Sequence, residues 1–249
     1  MSVLEALAIV GVGLVAGTIN TIVGSGSLIT FPTLLAFGFS PIVANVSNTV
    51  GLAPGSLSGA IAYRHELEGQ RPRLLVLGTA SIAGGITGAI LLLALPGSVF
   101  RHVVPVLILV ACVLVALQPR LSRRLAEREK PVLHGGVPLF ACIFVTGAYG
   151  GYFGAAQGVI LMSLLGIFLD DQLQRLNAAK NVLALCANGV SALVFISVTH
   201  IAWEAAGLIA VGSIVGGQVG GVLGRRFPAP LLRVLIIIVG VTAAVVLLA

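Results

Sequence analysis

Charge is scarce in this sequence. Asp, Glu, Lys and Arg make up 9% of its 249 residues, against roughly 25% in a soluble domain. No charged side chain lies between Glu5 and Arg64, between Arg73 and Arg101, or between Lys130 and Asp170. Each gap exceeds the ~18 apolar residues that mark a spanning helix. With 58% hydrophobic residues and a mean hydropathy of +1.12, a soluble fold of this size could not hide its apolar surface. Lipid must solvate part of it. Alternating strands are missing as well, which argues against a membrane barrel. The fold class that remains is all-α, a polytopic helical membrane protein.

Other absences narrow the function. Cys112, Cys142 and Cys186 all lie in apolar runs, without disulfide or metal spacing. His65, His102, His134 and His200 are scattered near loops and do not match a metal site. No Ser-His-Asp or Cys-His arrangement stands out, so the reading is of a non-enzyme with no cofactor. No carboxylate falls clearly inside a span, which leaves any coupling ion open. No basic segment precedes the first apolar run, so the first helix is expected to act as its own insertion signal. The net charge of +6 sits in short loops, where it sets topology rather than binding nucleic acid. Gly11-Val12-Gly13-Leu14-Val15-Ala16 has dinucleotide-fingerprint spacing. No strand precedes it and no ribose-binding acid follows, so it carries no such function.

What the sequence does have is glycine, 32 residues of it, and an internal repeat. At an offset of 132, the run Ser81 to Gly88 faces the run Ser213 to Gly220, with five of eight positions identical. The same offset pairs Asn45 with Asn177 and Arg101 with Arg233. An offset of 130 pairs Gly17 with Gly147 and Gly24 with Gly154. The reading is a first membrane repeat at 1–118, a basic cytoplasmic linker at 119–131 and a second membrane repeat at 132–249.

Loop charge suggests how the repeats lie. The loop at 64–73 carries Arg64, Arg71 and Arg73, while its counterpart near 197–204 has no Lys or Arg. The loop at 95–101 has only Arg101, whereas its counterpart carries Arg225, Arg226 and Arg233. Under the positive-inside rule the two copies should be inverted. The expected segments are 3–23, a short 27–37, 42–63, 74–94 and 102–118, then 133–152, a short 157–169, 174–197, 205–223 and 231–249. The two short ones span only about 17–20 Å, less than a ~30 Å hydrocarbon core. Whether they cross fully is open. Eight spans with parallel halves is the competing arrangement, and it would leave Arg225 and Arg226 outside.

Both halves break at matching places. The first break holds Asn20, Thr21, Gly24, Ser25 and Gly26; the second holds Gly154 and Gln157. Broken membrane helices are costly unless they line a cavity, and helix N-termini there favour an anion. Two tight turns at the membrane face are the plain alternative. The helix after each short segment is unusually polar. Asn45, Asn48 and Thr49 share one face of the first; Asn177, Lys180 and Asn181 share one face of the second. Lys180 reads either as a counter-ion for an anion or as an interfacial lysine reaching the headgroups. All thirteen of these residues are candidates for a substrate site.

The run Gly17, Gly24-Ser25-Gly26, Phe31-Pro32, Gly38-Phe39, Pro41, Asn45, Ser58-Gly59 and Tyr63-Arg64 resembles the TauE/SafE family of sulfite exporters. The duplicated Gly-Gly-x-x-Gly helix fits that resemblance, which covers nearly the whole chain. It implies a multi-pass bacterial or archaeal inner-membrane exporter of small sulfur-containing anions, such as sulfite or organosulfonates. The second half departs from the pattern, with Gly154-Ala155-Ala156-Gln157-Gly158 where the first has Gly24-Ser25-Gly26. The two halves are therefore not expected to contribute alike. The partners implied are the lipid bilayer, a small anion and, as an open possibility, further copies of the chain. Two rival readings stay open, a carrier of a cation or neutral metabolite and a non-transporting accessory subunit.

Overall fold

The computed structural model describes residues 2–126, 136–224 and 229–248. Arg225, Arg226 and the linker after Ala126, on which part of the topology reading rests, lie outside the described residues. Among the described residues, ten α-helices follow one another: α1 (Val3–Ile22), α2 (Ser27–Ala36), α3 (Pro41–Ala62), α4 (Arg71–Ala94), α5 (Gly97–Ala126), α6 (Gly136–Tyr152), α7 (Gln157–Phe168), α8 (Leu173–Val198), α9 (Trp203–Leu223) and α10 (Ala229–Leu248). No strand occurs among the described residues. By length and composition, α1, α4, α8, α9 and the stretch Gly97–Leu117 of α5 can each cross a membrane. Large apolar side chains such as Leu75 on α4, Val145 on α6, Leu193 on α8 and Val211 and Val222 on α9 stand exposed, as lipid-facing residues do.

Glycine and proline set most of the helix ends. Gly24 and Gly38 take positive φ angles of 85° and 86°, which stop α1 and α2 without the steric penalty a side chain would add. Pro41 opens α3 at a first-turn position, where its missing N–H costs nothing. The start of α5 differs from expectation. Only Leu95 and Pro96 separate α4 from α5, so Arg101 lies within α5 rather than in a loop. That helix also runs on through Arg120, Arg123 and Arg124 to Ala126, into the segment read as linker. Arg is a good helix former, so a basic stretch marks the membrane edge without ending a helix.

Helix directions follow from which residues touch. Along α1 and α9, Gly13 meets Ile209 and Gly17 meets Ser213, so the two run the same way. Gly51 against Ile209 and Gly55 against Ser213 put α3 in that same direction. Gly84 against Ala148 and Gly88 against Tyr152 align α4 with α6. Ser81 Oγ donates to the Leu183 carbonyl at 2.7 Å and Ser191 Oγ to the Gly85 carbonyl at 3.0 Å, which aligns α4 with α8. By contrast, α8 opposes α3. Its Lys180 end lies by Thr21, which packs on Gly59, while beyond its other end Ala202 N–H donates to Ser47 Oγ at 2.9 Å.

Packing recurs at the offsets seen in the sequence. Ser81 Oγ bonds the Leu183 carbonyl, and Ser213 Oγ bonds the Gly51 carbonyl at 2.9 Å. Gly84 sits on the backbone of Phe144 and Ala148, as Gly216 sits on that of Leu14 and Thr18. The long helices thus pack mainly against the opposite half of the chain, while the short α2 and α7 pack mainly against their own, and α3 and α8 lie side by side at the centre.

Candidate functional site

The site is built where α1 and α6 stop inside the bundle. α1 ends at Ile22 and α6 at Tyr152, and the chain turns through Gly24 and Gly154, with φ angles of 85° and 74°. Ala156, just before α7, also takes a left-handed φ of 57°, a conformation that costs a non-glycine residue roughly 1–2 kcal/mol. The two breaks touch. The Gly158 N–H donates to the Gly24 carbonyl at 3.1 Å, and a β-carbon on either glycine would overlap the other's backbone.

Ending a helix in a dry interior leaves its last carbonyls without intrahelical partners. Each such orphan costs about 1–3 kcal/mol. The polar helices supply the donors. Lys180 Nζ donates to the carbonyls of Thr21 at 2.9 Å and Asn20 at 3.3 Å. Asn181 and Asn177 add longer bonds to the Thr21 carbonyl, at 3.4 and 3.5 Å. At the other break, Asn45 Nδ2 donates to the Tyr152 carbonyl at 3.0 Å. Asn45 and Asn177 therefore each hold the end of a helix from the opposite half. Asn48, which stands 132 residues before Lys180, donates to Ser27 Oγ at 3.1 Å and accepts from the Thr30 hydroxyl. Thr49 Oγ1 donates to the Asn45 carbonyl at 3.0 Å.

Between the breaks lies a cavity of ≈ 10 Å³ bordered by Asn20, Ser27, Thr49, Phe153, Gln157 and Asn188. That is room for about one water. Asn20 Nδ2 donates to Ser56 Oγ at 3.2 Å. Gln157 is only 2% exposed, yet both polar atoms of its amide lack a hydrogen-bond partner. Ser25 Oγ and Asn45 Oδ1 are likewise buried without one. Folded proteins partner more than about 90% of such groups, so an amide at the cavity wall with neither polar atom partnered stands out. Phe153 forms one wall, held edge-on by Phe31 of α2 at 5.2 Å between ring centroids and by Phe100 of α5 at 6.2 Å.

The residues singled out in the sequence thus come together at one junction, but in two groups. Asn20, Thr49, Gly154 and Gln157 border the cavity, while Asn45, Asn177, Lys180 and Asn181 bond the ends of α1 and α6. The N–H groups at the start of α7 are partly engaged in this conformation: that of Gln157 donates to the Gly154 carbonyl at 3.2 Å and that of Gly158 to Gly24. Ser27, Phe153 and Asn188 belong to the cavity and were not among the candidates. Asn188 was within reach of the sequence, since it follows Asn181 by seven residues and so shares its helix face.

A separate polar cluster closes one face of the bundle. Asp171 accepts from Arg73 and from Arg175 at 2.8 Å each, and Arg175 also reaches the Glu68 carbonyl at 3.1 Å. Burial raises the Asp171 pKa, but the Arg73 hydrogen bond, the Gln172 N–H and the charges of both arginines outweigh it and hold the carboxyl below its ordinary value. Asp171 accordingly stands before the Gln172 cap of α8 as an ion-pair hub, tying α8 to the start of α4.

Residues 9–247 match the family model described as Sulfite exporter TauE/SafE. This chain belongs to the TauE/SafE family. Its similarity to known relatives runs nearly end to end. It is 27% identical over 238 residues to the Probable membrane transporter protein YfcA of Escherichia coli K12, covering 95% of this chain and 87% of that protein. It is 26% identical over 235 residues to the Probable membrane transporter protein ORF9 of a Sinorhizobium species, covering 94% and 89%. A Probable membrane transporter protein of Haemophilus influenzae is also 26% identical, covering 91% and 88%. The chain is therefore a TauE/SafE membrane transporter, a multi-pass protein of the cell membrane in contact with the bilayer.

Proposed function

We propose that this TauE/SafE transporter exports a small sulfur-containing anion, such as sulfite or an organosulfonate, across a bacterial or archaeal inner membrane. The anion binds in the cavity between the two broken helices. The observation that carries the reading is Gln157: a buried amide with two unpartnered polar atoms, facing a polar cavity where both breaks meet. Gln157 Nε2, Asn188 and Ser27 supply hydrogen bonds to the anion's oxygens. Asn45, Asn177 and Asn181 keep the helix ends in place, and Lys180 adds positive charge from one turn below Ala184 on α8.

The cavity holds about one water, so an anion of several heavy atoms enters only after the junction widens. Two inverted repeats, 1–118 and 132–249, joined by the linker at 119–131, would provide that motion by rocking about the site. The opposed directions of α3 and α8, and the recurrence of serine and glycine contacts at offsets of 130 and 132, support this arrangement. The Gly24–Gly158 contact would then be the pivot.

The test is anion uptake by purified protein in liposomes, wild type against Gln157→Leu. Leucine removes two buried polar atoms that have no partner, so the melting temperature should stay level or rise. Uptake of radiolabelled sulfite and methanesulfonate should fall by about tenfold or more, as expected when a site loses one good hydrogen bond to a charged group. Unchanged uptake in the variant would remove Gln157 from the site. No anion uptake by the wild type would favour an accessory subunit or a carrier of other solutes.

A further inference from the structure

We propose that this site carries oxyanions bearing one negative charge and rejects those bearing two, so that sulfonates and hydrogensulfite pass while sulfate does not. The inference rests on the anion-transport reading above and narrows its substrate class. It starts from a count of charges. Among the described residues, Lys180 is the only Lys, Arg, Asp or Glu side chain fully buried in the bundle, at 1% exposed, and an anion bound beside it favours its ammonium form. The cavity border carries amides, hydroxyls and apolar groups, and no titratable side chain. Tyr149 and Tyr152 lie on α6 just before the second break, and phenols are neutral at pH 7.

One ammonium and one monoanion leave the dry interior neutral. One ammonium and a dianion leave it with a net negative charge, and the cost of burying charge grows as the charge squared. Two of the three Lys180 donors are already directed at the Asn20 and Thr21 carbonyls. The ammonium therefore acts on the anion through space, and does not form the direct bidentate contacts that dianion sites use. The buried amide oxygen of Gln157 points the same way. It repels the oxygens of a fully ionised oxyanion, but it can accept from a substrate hydroxyl or sit beside an uncharged methyl.

Methanesulfonate and sulfate separate this cleanly, since they are close in size and shape and differ in charge at any pH near neutrality. Initial uptake of each, and of sulfite alongside, is measured at pH 7 in proteoliposomes of the full chain, with protein-free vesicles as background. Methanesulfonate is expected to enter at least about tenfold faster than sulfate. A ratio below that overturns the charge rule and leaves anion transport standing. If neither methanesulfonate nor sulfite enters above background, the transport reading itself fails, and the charge rule with it.

Discussion

Gly158→Val is expected to abolish transport and to lower the yield of folded protein. The valine β-carbon would occupy the position of the Gly24 backbone, so α7 has to move away from the first break. Overpacking of this kind costs about 1–3 kcal/mol, and losing the buried Gly158 N–H bond to the Gly24 carbonyl adds about 1 kcal/mol. Displacing α7 also moves Gln157, its first residue. A shift near 1 Å in a positioning group can cost about 100-fold in function. Gly207→Val serves as the control, because Gly207 lies exposed on α9 with nothing within 4 Å of an added β-carbon. Sulfite uptake by reconstituted protein, normalised to folded protein from size-exclusion profiles, checks both. Near-normal uptake by Gly158→Val would mean that the breaks need not touch.

Lys180→Met is expected to cut anion uptake by somewhat more than tenfold with little change in stability. Two effects on stability oppose each other. The Asn20 carbonyl loses its donor, at about 1–3 kcal/mol, while the Thr21 carbonyl keeps Asn177 and Asn181. Against that, methionine fills similar volume without the desolvation of a buried ammonium, and such replacements are often neutral. Transport has no such compensation. At ~10 Å and an effective dielectric of ~20, one ammonium attracts a monoanion by about 1.7 kcal/mol, which is a little over tenfold. Uptake rates and melting temperatures of the two proteins in the same detergent check the claim. A twofold effect or less would mean that the charge does not reach the substrate.

Much of the bundle is legible in the sequence because its punctuation is covalent. Gly24, Gly38, Pro41 and Gly154 end or open helices through their own backbone preferences, and those preferences do not depend on neighbours. The α5 boundary was not legible by the same rule: charge indicates where a segment leaves lipid, and Arg120, Arg123 and Arg124 continue the helix regardless. The partners of the polar helices were hidden for a different reason. Asn177, Lys180 and Asn181 announce a polar face, but their acceptors are carbonyls of α1, brought there by the crossing of helices about 160 residues apart in the chain. No side-chain pattern encodes a backbone acceptor. Asn188 lay on that same face and was readable; Ser27 becomes a neighbour of Gln157 only once the two breaks meet.

The most direct test places a thiol in the cavity. Asn188→Cys is made in a chain from which Cys112, Cys142 and Cys186 have been replaced, and its rate of reaction with a small membrane-impermeant thiol reagent is followed in proteoliposomes. Increasing sulfite or methanesulfonate should slow that reaction and then saturate, because the anion occupies the space the thiol faces. A labelling rate indifferent to either anion, in vesicles that still transport them, would put the substrate path somewhere other than between the two broken helices.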